Sequence, residues 1–339
     1  MIAHSGPWLT EEDQAAVIAA LESGQLAQGP AVARFEAALA DYMQARAVVA
    51  VGSGQAALVL ALRSLKIAPG DEIILPTYVC FTVAQAVRSI GAVPVLCDIG
   101  EQWVMTAESV AAKVTRRTKA VIVVHIFGIL ADTPQIERLG HPVIEDFCQA
   151  FGGKYSEASF PITSRLAFFS FNAAKCLAAG EGGAVATDDE NFANRLKEIK
   201  SSKLVPAPLS DLSAVLGLSQ LLRYDQALAQ RLNVANYYFH KLPPSLTDRI
   251  KKVEKKNFFR FPLFRPLGPE FEDIRQLFAK RGIAIRLGVD DLLHRRNGLT
   301  DRGFENAVAT IRGTLSIPIR PGLTQPDLDA IVRAVKEIL

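Results

Sequence analysis

Short apolar runs alternate with amphipathic stretches through the first half of the chain, which is the pattern of strands separated by helices. The runs are apolar throughout, as expected for strands buried on both faces of a mostly parallel sheet. The intervening stretches at 56–65 and 79–90 have the composition of helices. The pattern predicts seven strands, at residues 47–51, 71–75, 94–99, 120–126, 142–145, 166–171 and 183–187. We therefore predict an α/β fold with a mostly parallel seven-stranded sheet flanked by helices, whose ligands gather at the carboxyl ends of the strands.

Helical patterns lie on both sides of this region. Two helices are predicted in the first forty residues, and Thr10 with Asp13 forms a capping box at the start of the first. A long helical stretch covers 211–240. Beyond it, charged connections join short strands, such as 258–263 and 283–287. This change predicts a boundary near residue 242, between a large domain at 1–242 and a smaller C-terminal α+β domain at 243–339.

Composition and charge narrow the class of protein. The 339 residues are 49% apolar and carry a net charge of +3, from 38 basic and 35 acidic residues spread along the chain. This balance lacks the electrostatic footprint of a protein that binds nucleic acid or a membrane surface. No segment reaches the roughly 18 apolar residues of a membrane span, and the N-terminus lacks the pattern of a secretion signal. We therefore expect a soluble cytoplasmic protein that binds neither nucleic acid nor membrane.

The cysteines favour the same compartment. The chain has four of them, Cys80, Cys97, Cys148 and Cys176, in or beside apolar segments and without a CxxC pair. This placement is typical of reduced, packed thiols rather than of disulfides or metal ligands. We expect no metal site.

Polar and small residues follow the predicted strands at their carboxyl ends. The first strand ends at 52–54, which reads Gly-Ser-Gly, and His125 lies at the end of the fourth. Glu145-Asp146 ends the fifth strand, and Ser170 and Lys175 follow the sixth. Because these ends meet at one edge of a parallel sheet, we expect the side chains to converge. A helix entered through glycines also offers free N–H groups to an anion.

Lys175 indicates a chemistry that these groups could carry out together. It lies between an apolar run that ends in Ser170 and a glycine-rich turn at 180–183. Burial in such surroundings lowers the pKa of a lysine, so that a free amine can form a Schiff base with an aldehyde. Pyridoxal phosphate (PLP) needs this lysine and a buried carboxylate, such as Asp146, that keeps its pyridine nitrogen protonated. Its phosphate needs uncharged donors, which the backbone near Gly54 and the Ser170 hydroxyl can supply.

Each of these residues also has an ordinary structural interpretation. Asp146 can cap a turn or pair with an arginine, His125 can be a core histidine bonded to backbone, and Ser170 can fill space. The glycines at 52–54 half-resemble a dinucleotide fingerprint, a weak signal on its own. No acidic residue follows them at the distance expected of a nicotinamide dehydrogenase, which disfavours that class.

Short motifs follow one another along nearly the whole chain in an order that is informative as a set. The most specific are Glu145-Asp146 with Gln149-Ala150, Ser170-Phe171 with Lys175, and Gly180-Glu181-Gly182-Gly183. Further motifs are Gly29-Pro30, Ser53-Gly54, Pro69-Gly70-Asp71-Glu72, Val124-His125, Gly217 with Gln220-Leu221, and Leu315-Ser316-Ile317-Pro318. In this order they resemble the DegT/StrS family of sugar aminotransferases, which are PLP enzymes of the aspartate aminotransferase fold, also called fold type I.

The resemblance implies a role for each candidate residue. Lys175 would hold the cofactor as a Schiff base and shuttle a proton between the substrate and C4′ of the cofactor. Asp146 would bind the pyridinium nitrogen, and Gln149 would lie beside the ring or its phenolic oxygen. Ser170 would join the turn at Gly54 in binding the phosphate.

The resemblance also implies an activity and an assembly. An amino acid, usually glutamate in this family, would donate its amino group, which would pass to a keto group on a nucleotide-linked sugar. Such a reaction serves the biosynthesis of cell-surface polysaccharides or secondary metabolites. Members of the family are homodimers in which the partner subunit completes each site, so we expect a homodimer.

Two cofactor-binding positions depart from the family's pattern. Gln55 stands where a threonine usually follows the glycine of the phosphate turn, so one hydroxyl contact is missing. Cys80 stands where an aromatic residue commonly stacks on the cofactor ring. Tyr78 or Phe81 would replace that ring only on a changed backbone path.

Two stretches on the sugar side depart as well. Lys200-Ser201-Ser202-Lys203 replaces an arginine-asparagine-histidine-glycine stretch, and 286–296 offers only His294 in place of a histidine-rich motif. They leave open a PLP enzyme with another keto substrate, and a catalytically decayed binding or regulatory protein of the same fold. The family's sugar dehydratases carry histidine in place of the Schiff-base lysine, so Lys175 disfavours that variant.

Overall fold

A central sheet of seven strands dominates the part of the chain that the structure describes. The computed structural model describes residues 1–153, 164–202, 207–253, 256–265 and 268–339. The strands are β1 (Ala47–Val51), β2 (Glu72–Pro76), β3 (Val93–Cys97), β4 (Thr118–Val124), β5 (Val143–Asp146), β6 (Leu166–Ser170) and β7 (Gly183–Thr187). Their order is β1-β7-β6-β5-β4-β2-β3, and β7 alone among them runs antiparallel to its neighbours β6 and β1. The predicted mostly parallel sheet of seven strands is confirmed.

Both faces of this sheet are buried. Successive side chains of a strand point to opposite faces, so one strand contributes to the core on each side. In β6, Leu166 and Phe168 belong to one hydrophobic cluster, whereas Ala167 and Phe169 belong to another. Phe169 is fully buried, and burying such a side chain contributes roughly 1.5–3 kcal/mol. Because side chains on both faces are buried, both sets must be apolar, and the strands appear in the sequence as continuous apolar runs.

Two helices precede the sheet in the chain, and others lie between its strands or follow them. Those described before residue 242 are α1 (Glu11–Ser23), α2 (Pro30–Met43), α3 (Gly54–Ser64), α4 (Phe81–Ser89), α5 (Ala107–Ala111), α6 (Thr133–Glu137), α7 (Glu190–Ser201), α8 (Asp211–Leu222) and α9 (Tyr224–Lys241). The predicted capping box of α1 is confirmed, since the Thr10 N–H donates to Asp13 Oδ2 at 3.0 Å. The predicted single stretch at 211–240 is two helices. The backbone breaks at Arg223 (φ −118°, ψ 17°), whose guanidinium donates to Asp13 Oδ1 at 2.7 Å and to the Trp8 carbonyl at 2.8 Å.

The C-terminal part of the chain carries a second, smaller sheet. Its strands β8 (Phe261–Phe264) and β9 (Thr314–Ile317) pair antiparallel. The helices of this part are α10 (Pro244–Lys251), α11 (Phe271–Lys280), α12 (Leu293–Arg296), α13 (Glu305–Gly313) and α14 (Gln325–Ile338). The predicted strand at 283–287 is wrong, because Ile283 and Arg286 form isolated bridges to two different segments, at Ile2 and Ser316.

The domain boundary near residue 242 stays a prediction. α9 ends at Lys241 and α10 begins at Pro244, so the proposed boundary falls between two helices. No described helix combines the length and the apolar character that crossing a bilayer requires.

Candidate active site

All seven residues predicted to bind the cofactor line one cavity of about 350 Å³ at the carboxyl edge of the sheet. They are Gly54, Gln55, Cys80, Asp146, Gln149, Ser170 and Lys175. They come from the segments at the ends of β1, β2, β5 and β6, whose carboxyl ends meet at the same edge of the sheet. The structure thus brings the predicted residues together, and their roles toward a cofactor stay predictions.

The turn between β1 and α3 is shaped to receive an anion. Ser53 caps α3, with its Oγ accepting from the Ala56 N–H at 3.1 Å. The N–H groups of Gly54 and Gln55 lie in the first helical turn, where intrahelical partners are lacking. Gly54 lies so close to β6 that a Cβ on it would come within 2.8 Å of Ser170 Cβ. The Ser170 hydroxyl and the two N–H groups therefore form one concave set of donors.

Asp146 is a buried carboxylate at the end of β5, 5% exposed. The Cys148 N–H donates to its Oδ1 at 2.9 Å. Burial raises the pKa of Asp146, although hydrogen bonds from Cys148 and the positive charge of Lys175 act in the opposite direction. A carboxylate in this position is stabilised by a cation, or by an N–H that shares its proton.

Lys175 lies half-buried in the turn that follows β6. Its N–H donates to the Asn172 carbonyl at 2.8 Å, and the Asn172 side chain is itself held by Glu181, which accepts from Nδ2 at 2.9 Å. The Lys175 Nζ lies 5.2 Å from the centroid of the Phe259 ring. Phe259 was missed in the sequence, because it lies far along the chain and no local motif marks it.

His125 and Glu145 form a fully buried pair, and His125 also lines the cavity. The Ala131 N–H donates to His125 Nδ1 at 3.1 Å, so Nε2 carries the proton that faces Glu145 Oε1 at 3.3 Å. Glu145 also accepts from the Thr133 hydroxyl at 2.9 Å and from the N–H and hydroxyl of Ser164 at 3.0 and 2.9 Å. Burial alone would raise the pKa of Glu145, but the bonds from His125 and Ser164 outweigh it and hold the pKa below its usual value.

Gln149 is oriented by a backbone group. Its Oε1 accepts from the Phe127 N–H at 2.9 Å, in a turn where Phe127 adopts a left-handed conformation (φ 60°). Because an N–H can bond only to the oxygen end of the amide, the Nε2 end is the one that remains to donate into the cavity. Gln149 is therefore placed as a donor to an oxygen of the bound molecule.

Cys80 lines the cavity where the family pattern has an aromatic ring. It precedes α4, and its Sγ lies 3.1 Å from Thr82 Oγ1. Tyr78 does not replace the ring, because it is buried against Phe127 with the ring centroids 6.2 Å apart. Phe81 lies instead under the Arg296 guanidinium, 4.9 Å from its ring centroid. From this segment the cavity is lined by Val79, Cys80, Thr82 and Val83.

The two atypical stretches serve the fold where the structure describes them. Lys200 forms an ion pair with Glu36, and Lys203 lies outside the described residues. His294 is fully buried. Its Nδ1 lies 2.8 Å from Thr77 Oγ1 and its Nε2 lies 3.0 Å from Asp301 Oδ1. This histidine ties α12 to the end of β2 and is not open to a sugar.

Comparison with known proteins gives consistent matches along the chain. The model of the DegT/DnrJ/EryC1/StrS aminotransferase family matches residues 7–336. The spore coat polysaccharide biosynthesis protein SpsC of Bacillus subtilis (strain 168) is 30% identical over 99% of this chain and 96% of its own. The aminotransferase TlmJ of Streptoalloteichus hindustanus is 26% identical, with a TM-score of 0.89 over 99% of this chain and 98% of its own. The putative sugar aminotransferase Spr1654 of Streptococcus pneumoniae, in a PMP-form, is 25% identical, with a TM-score of 0.86 over 99% and 97%.

Proposed function

The chain belongs to the DegT/DnrJ/EryC1/StrS aminotransferase family, and we propose that it transfers the amino group of an amino acid, glutamate, to the keto group of a nucleotide-linked sugar. Pyridoxal phosphate is the cofactor of this reaction. The PMP-form of Spr1654 supports the cofactor, and its description as a putative sugar aminotransferase supports the acceptor. The name of SpsC supports a place in polysaccharide biosynthesis.

The residues of the cavity fit this cofactor. The N–H groups of Gly54 and Gln55 and the Ser170 hydroxyl would hold the phosphate, and the missing side chain of Gly54 lets Ser170 lie against the turn. Asp146 is a buried acceptor for the protonated ring nitrogen, and Lys175 is the amine for covalent attachment. When bound, PLP supplies a ring that accepts the electron pair left when a proton leaves the amino-bearing carbon.

One observation carries the proposal: Lys175 and Asp146 line the same cavity, where the lysine charge opposes the rise that burial causes in the pKa of Asp146. A single ring bound between them would touch both. Each residue then has a defined task. Asp146 holds the ring proton, and the Cys148 N–H fixes the orientation of that carboxylate. Lys175 Nζ would move the proton between the amino-bearing carbon and C4′.

Neighbouring side chains prepare the site for these tasks. The Phe259 ring centroid lies 5.2 Å from Lys175 Nζ, so the ring excludes water from one side of the amine. The Nε2 of Gln149 would donate to the phenolic oxygen of the bound ring, since its Oε1 accepts from the Phe127 N–H. The bond to His125 fixes Glu145, which precedes Asp146 in β5, and would thereby help to hold the Asp146 carboxylate in position for the ring nitrogen.

The same proposal includes a cytoplasmic homodimer whose sites are completed by the partner subunit. Exposed apolar side chains support it, because Ile18 and Leu21 of α1 and Leu222 at the end of α8 are 54%, 53% and 82% exposed. α1 and α8 pack against each other, and exposed apolar side chains on neighbouring helices are typical of protein–protein contact surfaces. All four cysteines are free thiols, as suits a reducing compartment. Light scattering after size-exclusion chromatography tests the dimer, and a monomeric mass at micromolar concentration would contradict it.

The amino-donor half of the reaction tests the function. The purified holoenzyme is expected to be yellow, and L-glutamate is expected to convert its visible absorbance band to the shorter-wavelength band of the aminated cofactor. Subsequent addition of a keto sugar nucleotide should restore the first band. A yellow protein that responds to no amino acid would be a decayed binding protein, and recovery only with small keto acids would place the acceptor in another class.

A further inference from the structure

We propose that the hydrogen-bonded pair Asn172–Glu181 positions Lys175 for attachment to the cofactor and for proton transfer. Both are positioning residues, because they act through the lysine. All three side chains belong to residues that line the cavity of the candidate active site. The proton-transfer part of this inference rests on the proposed function, whereas the attachment part concerns the cofactor alone.

The amine of Lys175 has no hydrogen-bonding partner that fixes it. Among the described residues, Nζ makes no hydrogen bond and no ion pair within 4.0 Å. It lies instead 5.2 Å from the centroid of the Phe259 ring, a contact without a hydrogen bond. A lysine amine is carried on a flexible four-carbon stem, so its reach depends on where the backbone holds the residue. The turn at Lys175 therefore determines where the amine can act.

Asn172 closes that turn with its backbone and with its side chain. Its carbonyl accepts from the Lys175 N–H at 2.8 Å, and its Oδ1 accepts from the Ala174 N–H at 3.1 Å. Asparagine side chains commonly hold turns by bonding to the backbone two residues further on. The Asn172 N–H also donates to Ser170 Oγ at 3.4 Å. The same residue thus joins the lysine turn to the proposed phosphate site.

Glu181 holds the other end of the Asn172 amide. Because an N–H can bond only to the oxygen end of an amide, the bond from Ala174 leaves Nδ2 directed elsewhere. This Nδ2 donates to Glu181 Oε1 at 2.9 Å. A hydrogen bond to a carboxylate is stronger than one to a neutral acceptor. The carboxylate therefore fixes the orientation in which Asn172 closes the turn.

The backbone brings Glu181 to this position from the returning side of the loop. Gly180, which precedes it, has a φ of 77°, a conformation that favours glycine. The Ala173 N–H donates to the Gly180 carbonyl, and the Phe171 N–H donates to the Gly182 carbonyl, both at 2.8 Å. The two sides of the loop between β6 and β7 are thus bonded to each other, and Glu181 lies opposite Asn172.

The pair affects position more than stability. Asn172 is half-buried and Glu181 is exposed, and exposed polar pairs contribute little to the free energy of unfolding. A displacement of about 1 Å at a reacting group, by contrast, costs on the order of 100-fold in rate. Loss of the pair is therefore expected to slow the reactions of Lys175 in a protein that remains folded.

The test measures how fast the apoprotein attaches PLP, followed by visible absorbance. Attachment forms a C=N bond between Lys175 Nζ and the aldehyde carbon and releases one molecule of water. Asn172→Ala should slow this step about 10- to 100-fold, and Glu181→Ala should slow it about 3- to 10-fold. Glu181→Gln keeps an acceptor oxygen for Nδ2 and should change the rate by less than about 2-fold. The control Asn191→Ala, at an exposed asparagine of α7, should match the wild type.

Two further measurements separate positioning from a merely structural role. In the Lys175→Ala background, Asn172→Ala should leave the PLP affinity within about 2-fold, because the asparagine acts through the lysine. In the half-reaction with L-glutamate, Asn172→Ala should lower the limiting rate about 10- to 100-fold. The half-saturating glutamate concentration should stay within about 3-fold, because the substrate is still bound.

Each outcome supports or overturns the role of the pair. Wild-type attachment by either Asn172→Ala or Glu181→Ala would overturn it. A loss of PLP affinity on adding Asn172→Ala to Lys175→Ala would also overturn it, because the asparagine would then act without the lysine. If the wild-type holoenzyme responds to no amino acid, the proposed function fails separately, and the attachment rates still decide this inference. Glu181 is exposed, so Glu181→Ala carries the test if Asn172→Ala does not fold.

Discussion

The contact between Gly183 and the phosphate turn gives the sharpest structural prediction for cofactor binding. Gly183 begins β7 and is fully paired, opposite Val51 in β1 and Ser170 in β6. A Cβ on it would come within 2.5 Å of the Ser53 carbonyl oxygen and 2.7 Å of the Gly54 nitrogen. Both are backbone atoms, so the change Gly183→Ala can be accommodated only by moving the turn.

The size of the effect follows from that distance. The turn must retreat until the 2.5 Å contact opens to about 3.4 Å, the lower edge of ordinary van der Waals contact. A displacement approaching 1 Å at a group that positions a ligand costs on the order of 100-fold. Overpacking also reduces the free energy of unfolding, typically by about 1–3 kcal/mol. We therefore expect Gly183→Ala to fold, but to bind PLP roughly 100-fold more weakly.

The assay is a titration of the apoprotein with PLP, followed by absorbance, together with denaturant unfolding. Gly217→Ala is a matched control, because a Cβ there would come within 2.7 Å of Phe35 Cζ, in the packing of α8 on α2. It overpacks the core to a similar degree and leaves the turn in place. We expect the control to lose comparable stability, about 1–3 kcal/mol, and to keep its PLP affinity within about 3-fold.

Two results would refute this reasoning. Gly183→Ala with wild-type PLP affinity would mean that the turn does not bind the phosphate. An equal loss of affinity in Gly217→Ala would mean that affinity follows overall stability rather than the position of the turn.

Two carboxylates give the remaining predictions. Burial raises the pKa of Asp146, so the folded apoprotein binds a proton there more tightly than the unfolded chain does. Asp146 therefore lowers the free energy of unfolding as pH rises above its unfolded pKa of about 3.9. Asp146→Asn should therefore raise the melting temperature of the apoprotein at pH 7 while abolishing amino transfer; a lower melting temperature would contradict the assignment. Glu145→Gln replaces a carboxylate that accepts from four donors with a neutral amide. It should lower the free energy of unfolding in urea at pH 7 by about 3–5 kcal/mol. Since the pKa of Glu145 is lowered, the difference from wild type should shrink as pH falls through that lowered pKa, and a constant difference would exclude a role for the charge.

The sheet and the convergence of the candidate residues were predictable from the sequence for one physical reason. Strands of a parallel sheet are buried on both faces, so each appears as an apolar run, as β6 does between Leu166 and Ser170. The residue after such a run lies at the ligand-binding edge. That rule placed Asp146 and Lys175 in one cavity, where the structure has them.

Features that depend on distant parts of the chain were not predictable. The Phe259 ring centroid lies 5.2 Å from Lys175 Nζ, and the position of its segment depends on how the C-terminal part docks, which no local pattern encodes. The break at Arg223 interrupts a composition that favours helix, and at the break the arginine binds Asp13. His294 looked like a remnant of a sugar motif because the sequence does not reveal that Thr77 and Asp301 enclose it.

Identification of the residue that holds the cofactor tests the central claim most directly. The purified holoenzyme is treated with borohydride, digested and analysed by mass spectrometry, with Lys175→Ala as the control. The account predicts that the reduced cofactor is attached to Lys175 and that Lys175→Ala retains no covalent adduct. Attachment to another lysine, or no adduct on a yellow protein, would contradict it.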